Sequence, residues 1–203
     1  MNNRVGIIGI GCMGFKPVSP DVSYREMIFE AAQRAYNEAG LHPKEIDSFI
    51  SATEDFLEGN SIADEYVPDQ LGAVMKPVQT VTSDFLQALG IGYMMIKTGQ
   101  FNTVVIEAHS KASNVVTLEE VRAFALDPIY LRTLKESADF VAGLEMRRFL
   151  ERTGNTEEQC AAVVVKNRRN AINNPFAGYG AIFTKEDILS SEPVSLPLKA
   201  LDK

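Results

Sequence analysis

The chain has 203 residues, 45% of them hydrophobic, with 20 basic against 27 acidic residues and a formal net charge of −7. That length fits one domain of ordinary size, and that hydrophobic share suffices for a sizeable core. A mildly acidic surface excludes nucleic acid and anionic membrane as main partners, but not a phosphorylated ligand held by a few local cations or helix ends.

In chain order, Val5–Gly11 (VGIIGIG) is a short β-branched apolar run, the pattern of a strand buried on both faces. After a Pro-bearing loop, Ser23-x-x-Glu26 reads as a capping box that opens a helix, and Gly40 ends it. Ile46 to Ala52 predicts a second strand, Ser61 to Leu71 a short helix, and Pro77–Val81 a third strand. The stretch from Ser83 to Thr98 has no charge between Asp84 and Lys97, so it predicts a helix buried nearly all round. Asn102–Ala108 is a fourth strand, which completes a β-α-β-α-β-α-β order and an α/β layered domain. From His109 to Leu134 the rhythm is lost. Helices are then predicted from about 139 to 152, from Thr156 to about Asn173, and near Lys185–Leu189. Phe85 to Ile96 is too short to span a bilayer, and no secretory signal precedes the first strand, so the expected place is the cytoplasm. Cys12 and Cys160 lie far apart and read as free thiols, and no Cys/His cluster offers a metal site.

Three places could carry chemistry. Gly9-x-Gly11-x-x-Gly14 matches the dinucleotide fingerprint, but that mechanism needs a helix to begin at the loop, and Pro17 and Pro20 intervene before Ser23. The acidic residue expected after a second strand is also missing. The glycines instead let the strand end bend beneath a neighbouring segment. Val81-Thr82-Ser83-Asp84 sits at a strand-to-helix junction, where a helix N-terminus stabilises an anion; one of these side chains could equally be a simple cap. His109 follows the fourth strand at the edge where α/β folds place ligands, whereas His42 reads as a surface residue beyond a helix end. Lys166, Arg168 and Arg169 read as a solvated helix face, with phosphate contact as the alternative.

Four stretches taken together resemble the thiolase superfamily, specifically the sterol-carrier-protein-type and archaeal-type thiolases. VGIIGIGCMGF resembles the opening strand, and SDFLQALGIGYMMIKTGQFNTVVIEAHSKAS resembles the nucleophile helix and the strand after it. The segments beginning DPIYLRTLKESADF and VVVKNRRNAINNPFAGYG resemble the loop region and the segment before the family's fifth strand. The resemblance covers residues 4–201 and implies the N-terminal half of a thiolase-like fold. That half is a mixed sheet with helices on both faces, plus a loop-domain excursion over about 110–155.

The resemblance places Thr82 where the family has its nucleophilic cysteine. A threonine hydroxyl has negligible anion content at neutral pH and needs a base, so Thr82 is expected to be an inactive nucleophile position. His109 is expected to line the cleft. The family's histidine-bearing and second-cysteine motifs have no counterpart in these 203 residues. The expectation is therefore a subunit of a split, obligately hetero-oligomeric complex, in which a second thiolase-like subunit supplies the C-terminal half. Its substrate would be an acyl-CoA thioester, its chemistry Claisen-type C–C bond cleavage or formation, with no covalently bound cofactor. Two alternatives stand beside it: a non-catalytic scaffold or regulatory pseudoenzyme, and a retro-aldol subunit for a CoA-thioester aldol.

Overall fold

The computed structural model describes residues 4–115, 117–134 and 137–203, apart from the side chain of Leu118. They fall into two compact units, one built from residues 18–115 with 4–13, the other from 117–203 with 14–17. The second unit thus starts close to the expected excursion and runs on past residue 155 to the last residue.

In the first unit, Ser23 accepts from the Glu26 backbone N–H while the Glu26 carboxylate takes the Ser23 N–H, and this reciprocal cap opens helix α1 (Tyr24–Ala39). Gly40, at φ 66°, ends it in the left-handed conformation that glycine adopts most cheaply. Strand β1 (Ser48–Ala52) is buried along its whole length, as a strand covered on both faces must be. It lies between β2 (Val78–Val81) and β3 (Val104–Ala108), parallel to both, so the described sheet is parallel throughout. Alternation then divides the core. Phe49 points toward Ile28, Ala32 and Tyr36 of α1 and toward the short helices α2 (Ala63–Tyr66) and α3 (Pro68–Leu71). Ile50 and Ala52 point the other way, onto Ala88 of helix α4 (Phe85–Lys97). Helices therefore cover both faces, as the resemblance implied.

Pro68 explains why the predicted helix over 61–71 comes as two pieces: a proline suits a first helical position but not an interior one. Asp47 ties the entries of β1 and β3 by accepting from the Asn102 and Thr103 backbone N–H groups at 2.7 and 3.1 Å, which hold its carboxyl below the usual range.

Tyr36 donates from its hydroxyl to the Leu71 carbonyl at 2.7 Å, and burial pushes that hydroxyl up to about 12. A proton held more tightly in the fold stabilises it below the unfolded value of about 10, and that contribution is lost as pH climbs through the folded value. Urea midpoints should fall between about pH 10 and about pH 12. Tyr36→Phe should flatten that decline, and an unaltered slope in the variant would refute the assignment.

Two expectations are corrected. Residues 5–11 form no strand: Ile7, Ile8 and Ile10 are exposed, with Ile7 at 67%. The segment runs against α1 instead, with the Ile10 N–H donating to Glu38 and Arg34 donating to the Cys12 carbonyl. A Cβ on Gly9 or Gly11 would overlap the carbonyl oxygens of Ala35 or Ala31, so these glycines serve close packing and not a phosphate loop. The second correction is α4, which buries only Ala88 and Gly92. One face packs on the sheet, where Gly92 meets Ile106, and the other is open.

In the second unit, Ser137 caps α6 (Ala138–Thr153), and a Thr156–Gln159 capping box opens α7 (Glu157–Ala171) as predicted. The short α5 (Leu118–Ala123) precedes α6 in the chain, and α8 (Lys185–Leu189) follows α7. A two-stranded antiparallel ribbon, β4 (Pro193–Ser195) and β5 (Leu198–Lys199), packs on α6, where Gly143 lets the Ser195 carbonyl approach. Ala161 and Ile188 are its buried apolar centre. Arg168 stacks on Tyr179 and donates to the Tyr179 and Lys203 carbonyls, so this cation of the KNRRN stretch has a local structural role. No helix among the described residues is long and apolar enough to cross a membrane.

Candidate functional site

Because β1, β2 and β3 are parallel, their carboxyl ends share one edge, and the segments after them bring Thr53, Thr82 and His109 to that edge. This is the edge at which open α/β sheets bind ligands. The chain leaves β2 through Thr82 and Ser83 into α4. Asp84 is the N-cap: its backbone is extended (φ −79°, ψ 169°) and its carboxylate accepts from the Gln87 N–H at 3.0 Å. Ser83 donates to the Asp84 carbonyl at 3.3 Å. Of the three capping candidates, Asp84 holds the position. Thr82 is exposed just before the positive end of a helix of 13 residues.

His109 is in a different setting. Its side chain is 4% exposed and that of Glu107 8%. Its Nδ1 lies 2.7 Å from Glu107 Oε1 and its Nε2 3.1 Å from Asn60 Nδ2, while the ring stacks on Tyr24 at 5.8 Å between centroids. The second oxygen of Glu107 accepts from Ser51 Oγ at 2.7 Å. The serine therefore donates to the carboxylate and not to the imidazole, so the order differs from that of a nucleophile–base–acid triad. Thr82 and His109 follow β2 and β3, which are separated by β1. Two strand spacings put them on the order of 10 Å apart. They share an edge without sharing a hydrogen bond. His42 caps a turn, its Nδ1 accepting from the Lys44 N–H. Among the described residues no group of three or more His, Cys, Asp or Glu side chains could hold a metal ion.

No family model matches the chain. An acetyl-CoA acetyltransferase of Methanothermobacter thermautotrophicus is 28% identical over 98% of this chain and 53% of that protein. Over nearly its whole length the chain is similar to thiolase-type enzymes. A 17-hydroxy-3-oxo-4-pregnene-20-carboxyl-CoA lyase of Mycobacterium tuberculosis is 27% identical over the whole of this chain and 54% of its own length. Among solved structures, an Ltp2–ChsH2 aldolase chain has the same fold, with a TM-score of 0.70 at 23% identity over 96% of this chain and 50% of that one. The chain thus spans about half the length of the curated relatives it matches.

In this thiolase-like chain the polar network around His109 was only partly legible beforehand. Glu107 could have been found, because it is the one charge in the apolar run Val104–Ala108 and so had to be buried with partners. Asn60 and Ser51 gave no signal, as their link to residues 107–109 exists only once β1 and β3 pair. Lys111 was also missed. It is 5% exposed, and its ammonium donates to the Ser19 and Val22 carbonyls, closing the loop that leads into α1.

Proposed function

We propose that this chain is a subunit of a split thiolase-like complex that acts on acyl-CoA thioesters in Claisen-type C–C bond cleavage or formation. Its Thr82 occupies the nucleophile position without becoming acylated. A second thiolase-like subunit covers the open face of α4 and supplies the covalent chemistry. The observation that carries this reading is the setting of Thr82: a hydroxyl beside a helix N-terminus, with no imidazole free to act as its base. His42 caps its own turn, and both nitrogens of His109 are engaged, Nδ1 by Glu107 and Nε2 by Asn60. His109 is a positioning residue that fixes the loop after β1 through Asn60.

Intact mass spectrometry of the complex after incubation with an acyl-CoA tests this. The expected result is turnover with an unmodified chain; a stable acyl adduct mapped to Thr82 would overturn the reading. Thr82→Ala should leave the α4 cap unchanged, whereas Asp84→Ala should cost about 1 kcal/mol in urea denaturation. An equal loss from both would contradict the cap assignment.

A retro-aldol reaction on a CoA-thioester aldol is the second reading, supported by the similarity of the whole of this chain to 54% of a CoA lyase. Aldol cleavage needs no thiolate. Product balance separates the two: thiolysis consumes one free CoA and yields two thioesters, whereas retro-aldol cleavage yields one carbonyl compound and one thioester and consumes no CoA.

A further inference from the structure

Residues 107–111 fasten several segments of the first unit at one point. Glu107 reaches Ser51 of β1, His109 reaches Asn60, the Lys111 N–H donates to the Glu58 carbonyl at 2.7 Å, and the Lys111 ammonium holds residues 19 and 22. The loop carrying residues 58–60 lies flush against this point, since a Cβ on Gly59 would overlap the Lys111 carbonyl. One atom in the arrangement is out of balance. Asn60 is buried, and among the described residues its Oδ1 has no hydrogen-bond partner. Buried polar atoms are almost always paired, so this one calls for an explanation.

The imidazole supplies it. With Asn60 Nδ2 facing Nε2 at 3.1 Å, Nε2 must accept, and the ring is neutral with its proton on Nδ1, donated to Glu107. A proton added to Nε2 would set two donors against each other. A half-turn of the Asn60 amide removes that conflict, because oxygen and nitrogen exchange places with almost no change of shape. Oδ1 then accepts from Nε2–H, and Nδ2 takes the place that Oδ1 held. The imidazolium also gives the buried Glu107 carboxylate a counter-charge.

We infer that His109 and Asn60 form a proton-coupled amide switch that sets how the loop after β1 is anchored. A proton taken from solvent at Nε2 is matched by rotation of the Asn60 side chain, and its loss reverses the rotation. The loop concerned begins at Thr53, whose N–H donates to the Val81 carbonyl at 3.0 Å, immediately before Thr82. The switch therefore acts on the sheet edge that carries the candidate site. The ionisable groups around it are Glu107 on its own strand, Tyr24 stacked on the ring from α1, and Lys111 beyond the strand; the loop itself carries Glu54, Asp55 and Glu58. This inference stands apart from the proposed reaction, because proton binding and loop anchoring are read without turnover.

The test uses the full chain in the assembly in which it is soluble. Histidine C2 hydrogen–deuterium exchange, read by mass spectrometry, gives the titration of His109 with His42 as internal reference. Amide exchange of the 53–62 peptide, corrected for intrinsic rate, is followed from pH 5 to 8. The switch predicts a step in loop protection with the midpoint of the His109 titration, and loss of that step in His109→Gln. Asn60→Asp places an acceptor there in either orientation, so the loop step should move to higher pH than in the parent chain. Loop protection that stays flat while His109 titrates would overturn the inference. So would a His109 that takes up no proton in this range, or a step that persists in His109→Gln. Where Asn60→Asp fails to fold, His109→Gln decides alone.

Discussion

Expressed alone, the chain should self-associate instead of behaving as a 22.3 kDa monomer. The cause is the outer face of α4, where Leu86 is 75% and Met94 59% exposed, with Phe85 and Tyr93 beside them. The inner face spends only Ala88 and Gly92 on the sheet, because small residues let the helix lie close to Ile50 and Ile106. The large side chains are thereby left outward, and the isoleucines of residues 7–10 add a second exposed apolar run in the same unit. Monomeric soluble proteins rarely show apolar patches of this kind. The edge strands β2 and β3 also present unpaired backbone groups among the described residues, a further route to association. Light scattering on the isolated chain should report large or polydisperse species. Leu86→Glu with Met94→Glu should shift the distribution strongly toward monomer, since neither residue is part of the buried core. A stable monomer of the unsubstituted chain would remove the main physical support for a covering subunit.

Phe49→Ala should be the most damaging single truncation in the first unit. Phe49 is fully buried at the centre of the sheet, among Ile28, Tyr36, Ile46, Val67 and Leu71, so its ring is enclosed by two helical segments and the strand entry. Removing it forfeits the transfer energy of the ring and leaves a cavity, together about 3–5 kcal/mol. That is a large fraction of the roughly 5–15 kcal/mol by which a domain is stable. Pulse proteolysis of the full chain along a urea series should show the midpoint lowered by roughly 1–3 M. Phe29 of α1 is exposed, and Phe29→Ala is the control, expected within about 0.5 kcal/mol of the parent. Equal losses from the two would mean that the core is not centred on β1.

What could be read in the sequence was whatever local chemistry decides. Ser23–Glu26 and Thr156–Gln159 announced their helices because both halves of a capping box lie within one turn. Strand β1 and the alternation of strands and helices after it followed from apolar runs punctuated by Gly and Pro, whereas the parallel pairing did not. The failures share one cause, dependence on what packs against a segment. Residues 5–11 have the composition of a buried strand, but a strand needs a paired neighbour, and here the segment lies against α1 with its isoleucines outward. The apolar stretch of α4 predicted burial all round, while its small residues alone determine which face touches the sheet. At the candidate site, Thr82 and His109 were singled out by their places after strands and, for Thr82, by the resemblance; the structure puts both after parallel strands at one sheet edge. Asp84 as the actual cap, and Asn60 as the partner of His109, depend on side-chain geometry and on contacts across 49 positions of chain.

The central claim is that the open face of α4 is covered by a second thiolase-like subunit whose chemistry this chain completes without being acylated. A photo-crosslinking amino acid in place of Leu86 or Met94, introduced into the chain in its native cells, tests that claim most directly. The account predicts one dominant cross-linked product at both positions, whose partner peptide comes from a thiolase-like polypeptide that carries the superfamily's second-half histidine and cysteine motifs. Cross-links only between copies of this chain, or a soluble chain that cross-links to nothing, would contradict it.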